Sequence, residues 1–117
     1  MIRHDWFKRQ VDILAQAIGA VLGLRGRGDI QASISAIEST IRKTFGMDGK
    51  LALTLSPEDF LSLACRGERP STKLLSKLAD LFGEWAELLQ AQGSSSEAAA
   101  ALARVTKFRQ LASQANT

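Results

Sequence analysis

The sequence predicts an all-α protein, a compact antiparallel bundle of about five helices, and three observations carry that expectation. Apolar residues recur at intervals of three and four along most of the 117 residues, the spacing that gathers side chains on one face of a helix. Glycines and capping residues punctuate those stretches where helices would stop and start. Only two prolines occur in the chain, so few positions forbid helix.

The first helix is expected over about residues 5–24. Trp6, Ile13, Ala17, Ala20 and Leu24 form one stripe, and Phe7, Val11, Leu14, Ile18 and Val21 an adjacent one. Together they make an apolar face wide enough for more than one neighbour. Gly26 and Gly28 stop the helix, and Asp29 is placed to cap the next. That second helix has Ile30, Ile34, Ile37 and Ile41 inside and ends at Phe45 and Gly46. Over residues 47–55, Asp48-Gly49 signals a turn while Leu51, Leu53 and Leu55 alternate as in a strand. A lone strand would keep two open edges, so a single helical turn or an apolar loop is expected there.

Ser56-Pro57-Glu58-Asp59 is a strong helix start, with a serine cap, proline in the first turn and acids near the positive end of the dipole. The short helix it opens should bury Phe60, Leu61, Leu63 and Ala64 and close at Gly67. Pro70-Ser71 opens a long helix with Leu74, Leu78, Leu81, Trp85 and Leu88 on one stripe, ending at Gly93. Trp85 is expected in the core between the last two helices, opposite Ala98 and Ala101. Ser94 and Glu97 have capping-box spacing, and the last helix turns Ala98, Leu102, Val105, Phe108, Leu111 and Ala112 inward. Residues 1–113 then make a single domain, with residues 114–117 a frayed C-terminus.

Composition narrows the function classes. A hydrophobic content of 45% with 23% charged residues is that of a globular chain. The net charge is +3, and no basic run exceeds two residues, which describes a mixed solvated surface. The apolar stretch over residues 11–24 is interrupted by Asp12 and Gln16 and is too short to span a bilayer, so no membrane association is expected. The lone Cys65 has no disulfide partner, which suits a reducing, cytoplasmic setting.

A pattern occurs twice, 65 residues apart. Phe82, Trp85, Ala86, Leu89, Gly93, Ala98 and Leu102 match Ala17, Ala20, Val21, Leu24, Gly28, Ser33 and Ile37. This spacing of an apolar helix, a glycine turn and a second helix resembles the tetratricopeptide (TPR) motif, in which large and small apolar residues interlock the two helices of a hairpin. Two such hairpins are implied. Two periods of about 34 residues would exceed the observed separation, so the middle segment reads as a degenerate or replaced unit. The chain also resembles an uncharacterised bacterial family of short helical proteins. The family's features are an N-terminal Met-Ile-Arg-x-Asp (residues 1–5), a Leu-Gly-Leu segment (Leu22, Gly23, Leu24) and a TPR-like C-terminal hairpin. That family implies packing and imports no activity.

No motif points to catalysis. His4 and Cys65 are the only histidine and cysteine, too few for a zinc site. Gly23-x2-Gly26-x-Gly28 follows a helix rather than a strand and lacks a Gly-Lys-Ser/Thr, unlike a phosphate loop. Asp80, Glu84 and Glu87 share a helix face without a histidine, which fits solubilising charge better than acid–base chemistry. No catalytic residue, cofactor or metal is expected. The leading expectation is a non-enzymatic module for protein–protein interaction or self-association. It would act as a homodimer or small oligomer through an apolar cluster of Ile2, Trp6 and Phe7. One alternative is a DNA-binding helix-turn-helix over residues 57–77 that presents Arg66, Arg69, Lys73 and Lys77. The other is a small-molecule-binding protein with a deep apolar pocket.

Overall fold

The structure, a computed structural model, describes residues 3–115. Six helices follow one another: α1 (Arg3–Gly26), α2 (Ile30–Phe45), α3 (Gly49–Thr54), α4 (Pro57–Ala64), α5 (Thr72–Gln92) and α6 (Ser95–Ala115). The described residues contain no strand. The count is six rather than about five because residues 49–54 form a helix of their own. Asp48 caps it, its carboxylate accepting from the Leu51 amide at 2.8 Å. The neighbouring Ala52 and Leu53 both turn inward while Leu51 is exposed, a helical pattern that overrides the alternation of leucines.

The expected caps form elsewhere. Asp29 accepts from the Ala32 amide at 3.0 Å, Ser56 from Asp59 at 3.1 Å and Ser71 from Leu74 at 3.1 Å. Each satisfies an amide left open at a helix start. Ser94 departs from its expected capping role, its hydroxyl accepting from the Gln92 side chain at 2.9 Å. Gly93 ends α5 with φ of +92°, a left-handed conformation that favours glycine. α6 runs through Ala115.

Two antiparallel hairpins, α1–α2 and α5–α6, frame the molecule, and α5 packs against both α1 and α2. α3 lies against α2 and α6, and α4 against α6. Phe60 of α4 supplies the hub, its ring centroid 5.8 Å from Phe45, 5.4 Å from Phe82 and 5.8 Å from Phe108. One aromatic thus ties α2, α4, α5 and α6 together, edge-on to Phe45 and Phe82 and tilted against Phe108, with the edge-to-face contacts such rings prefer. The radius of gyration, 13.5 Å, is that of a compact domain of this length.

Burial corrects several inward assignments. Of the two stripes on α1, Phe7, Leu14 and Val21 are buried, whereas Ile13 and Ala20 face solvent. Leu63 is 57% exposed, because the eight-residue α4 buries only Phe60, Leu61 and Ala64. Leu102 is 56% exposed, since α6 buries Ala98, Ala101, Arg104 and Phe108 instead.

Trp85 is buried as expected, yet its indole also reaches α3. A methyl group on Gly49 would lie 3.1 and 3.2 Å from the indole Cζ2 and Cη2 and 3.0 Å from Glu38 Cγ, a tight fit that requires the indole and the Glu38 side chain to shift by a few tenths of an ångström. Gly49→Ala is therefore expected to destabilise the fold by about 1–2 kcal/mol through overpacking. Urea denaturation followed by circular dichroism checks this. An unchanged midpoint would mean that the indole yields at no cost.

Candidate interaction groove between α5 and α6

The tight pairing of α5 and α6 has two sides. Inward, α5 presents Leu74, Leu78, Leu81, Phe82, Trp85 and Leu89, all buried. Toward solvent the two helices meet through Gly83, Ala86, Ala98 and Ala99, with Val105 and Leu102 beside them, around an open groove of about 530 Å³. Small residues keep the floor low. A methyl on Gly83 would sit 3.9 Å from Val105 Cγ2, in ordinary contact. Leu102 stands at the groove edge with more than half its surface in water.

Tethered charges border this apolar floor. Asp80 accepts from Arg109 at 3.3 Å and lies 3.9 Å from Lys77 Nζ. Arg25, at the end of α1, reaches both Glu84 and Glu87. Its hydrogen bonds with Glu87 and Glu84 raise the guanidinium pKa. The three carboxylates that share this face of α5 are thus each engaged by a cation.

The residues named from sequence are dispersed. Ile2 lies outside the described residues. Phe7 is 7% exposed, so it belongs to the core and offers no surface to a partner, contrary to expectation. The reason is the inward turn of its stripe on α1. Trp6 is half-buried, 5.2 Å from the Phe7 ring, and the Arg66 guanidinium stacks 5.9 Å from its centroid, a cation–π contact. Arg69 is exposed on the rim of a cleft of about 310 Å³ with Leu61, Pro70, Leu75 and Leu111. Lys73 is exposed in a separate cleft of about 350 Å³ beside Lys8 and Asp12. Lys77 faces Asp80. Of the four cations on the alternative nucleic-acid surface, Arg66 and Lys77 already have partners within the chain.

Sequence reasoning missed Arg104. Only 6% exposed, it donates from Nε to the Ala52 carbonyl at 3.0 Å. Its Nη2 donates to the carbonyls of Leu53 at 2.8 Å and of Leu55, and Nη1 to Ala100 at 2.6 Å. It thereby caps the open C-terminus of α3, where the helix dipole favours a cation. Burial lowers its pKa. Its register was legible: position 104 falls three after Ala101 and four before Phe108, on the inner stripe of α6.

Cys65 is buried, and desolvation pushes its thiol up to about 11. A thiol near neutral pH is a poor nucleophile. The folded protein should resist alkylation at pH 7.5 and react only on unfolding. The unfolded thiol titrates near about 8.5, so the unfolded state binds fewer protons than the folded state between there and about 11. Stability from this group is full below that window and falls as pH rises through it. Urea midpoints across the window should drop less steeply for Cys65→Ala; equal slopes would refute the assignment.

Among the described residues, no group of three or more His, Cys, Asp or Glu side chains could hold a metal, and no helix is long and apolar enough to cross a membrane. No family model, curated protein or solved structure matches the chain.

Proposed function

We propose that this protein is a non-enzymatic helical interaction module that takes an amphipathic helix of a protein partner into the α5/α6 groove. The carrying observation is Leu102, an exposed leucine beside a floor of Gly83, Ala86 and Ala98. Helix-in-groove recognition uses such a low apolar floor with a ridge to interlock against, and Arg109 and Glu87 offer polar contacts along the rims. The packing supports a TPR-like reading. α5 lies against both helices of the first hairpin, the nearest-neighbour contact that stacked helical repeats make, and α3 and α4, packed on α2 and α6, connect the hairpins in place of a middle repeat. The lone, buried Cys65 is in keeping with a reducing, cytoplasmic setting.

The test is site-specific photo-crosslinking in the native cell, with a photoreactive residue at position 102 and, as a control, at the exposed Gln110. A discrete protein adduct from position 102 alone supports the reading, and its loss on Ala99→Arg, an exposed position of the same groove, strengthens it. No adduct, or the same adducts from both positions, overturns it.

A further inference from the structure

Helices α1, α2 and α5 each stop at a glycine in the left-handed backbone region, Gly28, Gly46 and Gly93, with φ between +72° and +92°. α4 stops in the same way on an arginine. Arg66 has φ of +54°; its amide donates to the Leu63 carbonyl at 3.3 Å, and the next amide, of Gly67, to the Ser62 carbonyl at 2.8 Å. This pair of bonds closes a helix end whose left-handed residue is usually glycine, because a side chain there is strained. Among the described residues Arg66 is the only non-glycine residue with positive φ. The interaction that offsets the strain is in its side chain.

The Arg66 guanidinium stacks on Trp6, in the first turns of α1, a favourable contact of a cation with an aromatic face. It enters no ion pair among the described residues: neither of the acids next to this pair in sequence, Asp5 and Glu68, engages it. The stack therefore joins the start of α1, which otherwise packs on α2 and α5, to the turn over residues 65–71. That turn is loosely seated, since Arg69 and Pro70 line one of the clefts described above and Ser71 lines the other. Cys65, 1% exposed, precedes Arg66 in the chain, so opening of this turn uncovers its thiol.

We propose that Arg66 and Trp6 form a latch that holds the turn between α4 and α5 closed over Cys65. Backbone strain at Arg66 favours opening, and the stack on Trp6 opposes it. Closure thus depends on where the first turns of α1 lie. A displacement that carries the indole away leaves the strain unopposed, and the turn opens as a local unit while the two hairpins stay folded. The start of α1 thereby controls access to the one thiol of the chain.

Alkylation of the full chain by N-ethylmaleimide, in water and at low urea, reads the opening. Each rate is divided by that of the same variant unfolded in urea, because losing a neighbouring cation also lowers the thiolate fraction. In the unaltered chain labelling should follow global unfolding, with the full urea slope. Arg66→Met keeps the left-handed strain and a long side chain but removes the cation. It should speed labelling at least about threefold and make its urea dependence shallower, with the circular dichroism spectrum unchanged. In a Trp6→Ala background the same change should have less than about a 1.5-fold effect, since no stack is left to lose. Arg66→Gly in that background should slow labelling, because the strain is relieved and no stack goes with it. Equal effects of Arg66→Met in both backgrounds overturn the proposal. So does labelling of Arg66→Met that keeps the full urea slope, or an Arg66→Gly change that fails to slow labelling when Trp6 is absent. No position in the α5/α6 groove takes part, so this proposal and the groove reading can each fail alone.

Discussion

Trp85→Ala is expected to cost about 3–5 kcal/mol of folding stability, the range for emptying a buried large aromatic site. The indole is fully buried and lies 5.4 Å from the Phe82 ring. Gly49 packs closely against its six-membered ring, so backbone lines one side of the cavity left behind and collapses less readily than a side chain would. Burial and dispersion carry the whole effect, because the indole Nε1 has no hydrogen-bond partner and its removal strands no acceptor. Trp85→Phe should therefore cost far less than the alanine variant, since it keeps a ring and deletes a buried unsatisfied donor. Urea denaturation followed by circular dichroism measures both. A loss below about 1 kcal/mol for Trp85→Ala would show that the site refills, and the close packing of α3 on α5 would then not be essential to the fold.

Arg104→Ala is expected to cost about 2–4 kcal/mol, because it strips a charge-assisted donor from the buried carbonyls of Ala52 and Leu53 and the partly buried carbonyl of Leu55 at once. Only a planar guanidinium can span these acceptors, so Arg104→Lys should recover less than half of the loss despite keeping the charge. A purely packing role for the long side chain would instead be rescued by Arg104→Met. Hydrogen exchange gives a local readout. The Leu55 amide, which donates to Leu51 at 3.0 Å, should exchange faster in the alanine variant than amides in the middle of α5. Wild-type stability in Arg104→Ala would mean that water serves the three carbonyls equally well.

The caps at Asp29, Ser56 and Ser71 were legible because each depends on a hydrogen bond within three residues of sequence. The inner stripe of α5 was legible too, since one helix with a single apolar face has one way to turn. α1 was ambiguous for the opposite reason. Its apolar residues run almost all the way round, and periodicity cannot say which stripe finds neighbours. The structure buries Phe7, Leu14 and Val21 and leaves Ile13 and Leu22 in water. Leu102 misled for a related reason: Ala98 and Ala101 are small enough for α5 to approach on their side, which rotates the bulkier leucine outward.

By itself, then, the sequence determined an all-helical chain, the positions of most helix ends and the face by which α5 enters the core, because each rests on contacts between near neighbours. The tertiary structure alone decided the rest. It set the helix at residues 49–54, where a helical turn was one expectation, against α2 and α6, bringing Arg104 to carbonyls about fifty residues away in sequence. It chose the buried stripe of α1, and it left a groove of small residues open between α5 and α6. Those outcomes depend on which surfaces meet across the molecule, and one-dimensional periodicity carries no information about a partner remote in sequence.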